Sequence, residues 1–312
     1  MEPVPGEHVA GHEVGTAIGH GRLSTVYRAR ELATGREVAL KVLRTGPGAS
    51  GRFAREFELA RALAHPHVVS VYRHGALDPA PDRPGALWLT MELAEAGTAA
   101  DLVPAGDDEP DLSGVLAVLS QVGGALDHAH RLDVVHRDVK PANVLLRSTD
   151  PVDAVLGDFG IAQVLDEAMP LASRGRVAGS VPYASPEVLQ ARRLTPATDV
   201  YSLACTLVEL LTGQPPFPRS TAFAVIHAHL TAPPPGLRGR RAWLPATLDD
   251  VTARGLAKDP ADRFPTCGAL AAAVADALDG VEVPPPAPAV PRRLLRRLRR
   301  GGPPPPGGAA TG

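Results

Sequence analysis

Near Thr98 the pattern of apolar residues changes period. Before it, Gly15–Arg30 and Arg36–Arg44 alternate β-branched or apolar residues with polar ones between turn residues, and Leu87–Glu95 reads the same way, so strands are expected. One segment interrupts them: Gly51–His65 places Phe53, Phe57, Ala60, Leu63 and Ala64 at helical spacing. After Thr98 the long helical patterns Asp111–Arg131, Thr198–Gly213 and Thr247–Ala257 dominate. A chain built this way has a small sheet-rich lobe with one helix, followed by a larger helical lobe, which is an α+β fold. The lobes are expected over residues 8–94 and 95–280. Beyond Gly280 the composition shifts to proline, glycine and arginine, which cannot bury enough apolar surface to offset ordering entropy, so 281–312 is expected to be a disordered tail.

Composition removes several classes of function. A net charge of −2 gives no basic footprint for nucleic acid. The two cysteines, Cys205 and Cys267, are too few for a disulfide framework and lack zinc-site spacing, so two reduced thiols in a cytoplasmic protein are expected. The N-terminus has neither a basic region nor an apolar run, and no segment offers the roughly 18 uninterrupted apolar residues of a membrane span.

Two constellations carry chemistry. Gly19 and Gly21 are followed by Ser24, Val26 and then Lys41, and small residues let a hairpin backbone approach a phosphate chain. No Gly-Lys dipeptide occurs, so a Walker-type loop is excluded. Lys41 is one of three lysines and sits among Val38, Ala39, Leu40, Val42 and Leu43, where it needs an anion to offset desolvation. Glu56, on the helix that follows, is the expected partner. The second constellation is His136-Arg137-Asp138-Val139-Lys140-Pro141-Ala142-Asn143, followed by Asp158-Phe159-Gly160. It supplies a carboxylate for an attacking hydroxyl, a cation for a moving phosphate, and oxygen ligands for magnesium.

Together these motifs resemble a eukaryotic-type protein kinase in the form bacteria use as serine/threonine kinases, over roughly Glu13 to Leu278. The resemblance implies the bilobal protein-kinase fold, ATP and Mg2+ as cofactors, protein substrates and autophosphorylation. By the same resemblance Lys41 holds the α- and β-phosphates with Glu56 as its ion-pair partner. Asp138 accepts the substrate proton, Lys140 stabilises the γ-phosphate, and Asn143 and Asp158 ligate magnesium. Met91 becomes the gatekeeper, the backbones of Glu92 and Ala94 hold adenine, and Ile18, Val26, Ala39 and Leu145 sandwich it. Glu187 of Ser185-Pro186-Glu187 is expected to pair with Arg263, and Asp199 to anchor the catalytic-loop backbone. Lys140, two residues after Asp138, implies a serine/threonine acceptor. An ATP-binding scaffold without transfer and a small-molecule kinase are the competing readings.

Three positions depart from the family pattern: Ser24 for the loop's third glycine, Ser185 for an alanine, and Ser180 for a threonine. The segment from Asp158 to Glu187 contains no threonine, and Ser173 is the only hydroxyl residue between Gly160 and Gly179. Arg137 implies a loop phosphate as its partner, so either Ser173 is a regulatory phosphorylation site or the loop is ordered without one. A homodimer is among the implied partners. The six arginines and three leucines of Arg292–Arg300 are either a solvated basic tail or a contact for an anionic membrane surface or acidic partner.

Overall fold

The structure, a computed structural model, describes residues 3–21, 24–44, 50–77, 85–106, 108–159 and 181–285, with the side chains at 44, 50, 52 and 56 excepted. Residues 160–180 with Ser173 and Ser180, the Glu56 carboxylate, and the residues from 286, including Arg292–Arg300, lie outside the described residues.

Strands β1 (His8–Val9), β2 (His12–His20), β3 (Ser24–Glu31), β4 (Glu37–Arg44), β5 (Val71–Leu77) and β6 (Ala86–Met91) form one antiparallel sheet in the order β1-β2-β3-β4-β6-β5. Helix α1 (Ser50–Ala62) lies on one face. Its Phe53, Phe57 and Ala60 pack with Ala39, Leu43, Leu87, Leu89 and Met91 of the sheet, as the 3.6-residue spacing predicts. The opposite face buries Val14, Tyr27, Val38, Leu40, Val42 and Trp88. Both faces are therefore apolar, and the register between strands is strongly determined, because a one-residue slip would turn every side chain to the wrong face.

The second lobe is built on α2 (Leu112–Arg131), the β7–β8 hairpin (Val144–Thr149 and Val152–Leu156), the short α3 (Pro186–Leu189), α4 (Pro196–Thr212), α5 (Ala222–Thr231), α6 (Ala246–Gly255) and α7 (Cys267–Leu278). Helix α4 is buried along nearly its whole length, so it forms the centre of this lobe. Thr195 and Thr198 close a capping box at its start, and Pro196 sits in its first turn. Gly213 ends it at φ 76, where a Cβ would lie 2.6 Å from the Pro104 carbonyl oxygen, so only glycine fits. Truncating Leu207 in its fully buried face to alanine would cost about 2–5 kcal/mol.

The sheet-rich lobe with one helix and the larger helical lobe match the expected α+β architecture. The run Gly15–Arg30 divides into two antiparallel strands, and the strand expected over Leu87–Glu95 stops at Met91, where the chain crosses between lobes.

Candidate active site

Strand register assembles the first half of the site. Gly19 pairs with Val26, Val26 with Lys41, and Ala39 with Met91, so residues far apart in sequence are brought side by side across four strands. The Gly21 N–H donates to the Ser24 carbonyl at 2.7 Å and closes the β2–β3 turn, and a Cβ at Gly21 would lie 3.0 Å from the Ser24 hydroxyl. Ala39 and Met91 are buried, Val26 and Leu145 half-buried, and Ile18 is exposed at the rim. Behind Met91 an apolar cavity opens between Ala60, Val69, Val71, Leu89 and Phe159. The Glu92 N–H donates to the Ser70 carbonyl at 2.9 Å, which leaves its own carbonyl as the backbone group it can offer a ligand.

The second half is the loop between α2 and β7. Asp199, in the first turn of α4, is fully buried and accepts the backbone N–H groups of His136 and Arg137, each at 2.8 Å, and the His130 Nε2–H at 2.7 Å. A buried carboxylate needs such donors, since an unpaired one would be driven to neutralise. The anchor also holds Arg137 at φ 71, in the left-handed region that non-glycine residues avoid. Immediately after it, Lys140 Nζ donates to Asp138 Oδ2 at 2.7 Å. Asn143 Nδ2 donates to the Asp138 carbonyl at 2.7 Å and to its Oδ2 at 2.9 Å. Asp138 is thereby fixed by two neighbours of its own loop.

The two halves meet at Asp158, which follows β8 at φ 61. Lys41, only 3% exposed, donates to Asp158 Oδ1 at 2.5 Å. Burial alone would push the Asp158 pKa up, but the charge and hydrogen bond of Lys41, with His136 and Lys140 nearby, outweigh it and hold the carboxyl below its ordinary range. Phe159 is buried and stands edge-on to the His136 ring at 4.6 Å, while His136 Nε2 donates to the Gly157 carbonyl at 2.8 Å. The segment after β8 is therefore joined to the catalytic loop by ring contact and hydrogen bond together. Asp158 is Lys41's described partner, and the expected pairing with Glu56 lies outside the described side chains.

The oxygen donors fit a magnesium ion, which takes hard oxygen ligands. Both Asn143 amide protons are directed to Asp138, so its Oδ1 remains an acceptor. Asp158 keeps its second carboxylate oxygen beside the one that Lys41 occupies.

The buried pair expected further on is present: Arg263 Nη1 donates to Glu187 Oε1 at 2.7 Å and Nη2 to Oε2 at 2.9 Å. Sequence reasoning missed the Arg147–Glu92 ion pair between β7 and the lobe crossing, the His130 donor to Asp199, and the Tyr183–Glu209 hydrogen bond. The arginine that directly follows the apolar Val144–Leu146 run was the one local signal for the first of these.

Compared with known proteins, the protein kinase domain family matches residues 12–272. This chain belongs to that family. Its kinase domain is 39% identical to serine/threonine-protein kinase PknJ of Mycobacterium tuberculosis, over 91% of this chain and 49% of that protein. It is 38% identical to serine/threonine-protein kinase PknF of the same organism, over 91% of this chain and 60% of the relative. The chain thus spans about half the length of the curated relatives it matches. Among solved structures, the PknI kinase domain of Mycobacterium tuberculosis is similar with a TM-score of 0.67 at 33% identity, covering 89% of this chain and 100% of that one.

Two other features of the kinase domain bear on function. Asp127, His130 and Cys267 come close enough to suggest a metal site. Asp127, however, accepts the N–H groups of Cys267 and Gly268, His130 serves Asp199, and burial pushes the Cys267 thiol pKa well up, so the cluster is structural. Both cysteines are free and buried, as the sequence implied. Among the described residues no helix is long and apolar enough to cross a membrane.

Proposed function

We propose that this chain is a serine/threonine protein kinase that transfers the γ-phosphoryl group of Mg-ATP to hydroxyls of protein substrates, itself included. The observation that carries this reading is the convergence of Lys140 and Asn143 on Asp138, with Lys41 and Asp158 joined across the cleft. In this mechanism Asp138 orients the acceptor hydroxyl and takes its proton, and Lys140, already on the Asp138 carboxylate, offers its charge to the γ-phosphate. Lys41 places the α- and β-phosphates, with Glu56 as its second carboxylate. Asn143 Oδ1 and Asp158 would hold the magnesium, which when bound neutralises phosphate charge. Ile18, Val26, Ala39 and Leu145 enclose the adenine in front of Met91, the Glu92 carbonyl and the Ala94 backbone hold its edge, and the Gly19–Gly21 turn covers the phosphates.

The lobes of this kinase are residues 8–94 and 95–280, with 281–312 as a tail, and its place of action is the cytoplasm. Self-phosphorylation brings two copies together, so a homodimer is a natural partner. Arg292–Arg300 is either a solvated tail or a contact for acidic partners and anionic membranes. Ser173 is the regulatory acceptor read by Arg137, or the loop is ordered without it. Phosphopeptide mass spectrometry of active enzyme separates these two.

The test of the main reading is γ-phosphate transfer from radiolabelled ATP to the chain itself and to a generic protein acceptor. Asp138→Asn and Lys41→Ala are expected to lower transfer by about a thousandfold while both variants still fold. Nucleotide binding without transfer in the wild type would replace this reading with an ATP-binding scaffold.

A further inference from the structure

Residues 92–95 carry the chain from β6 into the second lobe, and the two ends of this crossing are held differently. At the far end, backbone hydrogen bonds run from the Ala96 N–H to the Leu146 carbonyl at 3.0 Å and from the Leu146 N–H to the Gly97 carbonyl at 2.9 Å. At the near end a side chain reaches out. Arg147, on β7, donates Nη2 to Glu92 Oε2 at 2.9 Å and Nε to Oε1, a two-pronged carboxylate contact. Its remaining prong, Nη1, donates to the Pro66 carbonyl at 2.8 Å and lies 3.7 Å from Asp153 Oδ1.

Pro66 belongs to the segment between α1 and β5, which is itself stitched to β8. The Leu156 N–H donates to the His67 carbonyl at 2.9 Å, the Val69 N–H to the Leu156 carbonyl at 3.0 Å, and His67 Nδ1 to the Ala154 carbonyl at 2.9 Å. One guanidinium therefore ties together the lobe crossing, the segment after α1, and the second lobe's hairpin. Both partners are substantially buried, with 30% and 18% of their side-chain surfaces exposed, so the pair is far less screened than a surface bridge. Burial favours a neutral Glu92, yet the Arg147 contact outweighs it and holds that carboxyl below its ordinary pKa.

We propose that Arg147 is a positioning residue for nucleotide: by gripping Glu92 and Pro66 it sets the backbone at Glu92 against which the adenine docks. The proposal rests on the kinase reading above. Releasing the grip leaves the Glu92 backbone to be ordered when nucleotide binds, so affinity falls. The transfer groups Asp138, Lys140 and Asn143 are held by contacts that do not involve Arg147, so the step after binding keeps its rate.

The experiment compares the full chain with Arg147→Leu, Arg147→Lys, Glu92→Gln and the Arg147→Leu/Glu92→Gln double variant. It measures the Kd of Mg-ADP by calorimetry, KM for ATP and kcat on a generic acceptor. Arg147→Leu is expected to raise the ADP Kd and the ATP KM roughly five- to tenfold, while kcat at saturating ATP changes less than about twofold. Lysine keeps the charge but not the fork, so it recovers only part of the loss. Glu92→Gln weakens binding in the same direction, and the double variant is no worse than Arg147→Leu, because both remove one contact. An unchanged ADP Kd in a folded Arg147→Leu overturns the proposal, as does a fall in kcat proportional to lost folded protein with KM unmoved. Should that variant not fold, wild-type ADP affinity in Glu92→Gln and Arg147→Lys overturns it equally. A wild type that binds ADP but transfers no phosphate would refute the kinase reading and leave the ADP comparison to judge Arg147.

Discussion

In the second lobe the Asp199 carboxylate is fully buried and receives three donors, and the Glu187–Arg263 pair is nearly as enclosed. In the first lobe, by contrast, the ion pairs Arg28–Glu37 and Arg30–Glu13 stand about half exposed on the sheet surface, and Lys41 is the buried charge. Lys41 finds its described partner across the cleft, on the other lobe. The second lobe thus keeps its catalytic loop in place with internal, desolvated contacts. The first lobe supplies a sheet in which, among the described residues, the buried cation Lys41 is satisfied through the second lobe. Buried polar groups rigidify when their donors and acceptors are matched, as they are at the Asp199 carboxylate and in the Glu187–Arg263 pair.

The comparison can be broken by removing one partner in each lobe. Arg263→Met should have the largest effect: it leaves the Glu187 carboxylate buried without its cation and should lower stability by about 3–5 kcal/mol in urea denaturation. Arg263 also donates to the carbonyls of Ala197, Ala257 and Lys258, so the loss extends into the first turn of α4 and the segment after α6.

Acid should find the second lobe next, through His229 of α5. This side chain is fully buried, its Nδ1 hydrogen-bonds the Tyr201 hydroxyl at 2.9 Å, and the Phe217 ring stands edge-on at 4.9 Å. Burial, reinforced by the charge of Lys258, lowers its pKa from 6.5 to about 4. The unfolded chain therefore binds a proton between those values that the folded chain refuses. Stability is fully present above the unfolded value and is lost as pH falls through the window. The expected loss from this group between about pH 7 and pH 5 is roughly 2 kcal/mol. His229→Gln should flatten that slope, and an unaltered slope would show that His229 is not the group responsible.

The smallest effect belongs to the first lobe's surface. Arg30→Ala, which removes the Glu13 pair, should leave the denaturation midpoint within experimental scatter. A cost comparable to that of Arg263→Met would erase the distinction between the lobes.

Much of this was legible before any coordinates. Glu37–Arg44 is a strand over the expected residues, and Phe53, Phe57 and Ala60 face the sheet as their spacing requires. Strand β5 escaped notice because Val71–Leu77 shows no clean alternation of burial, being an edge strand with half-buried positions on both faces. Helix α7 is rich in alanine, which blurs its stripe, although Cys267, Leu270, Val274 and Leu278 stand at helical spacing and are buried. The catalytic loop lay at the other extreme. His136 to Asn143 is one short run whose members act on one another, and Asn143 reaches Asp138 from five positions away.

By itself, then, the sequence determined the change of period at Thr98, the strands and helix with clear amphipathic patterns, and the residue types of the transfer chemistry. All of these depend on near neighbours along the chain. Only the tertiary structure decided that Lys41 meets Asp158, 117 positions away, that His130 is Asp199's third donor, and that Arg147 grips Glu92 more closely than Asp153, its nearer neighbour in sequence. A charged side chain selects its partner by burial and by the geometry of the groups folding brings within reach. Neither quantity exists until the two lobes have closed on each other.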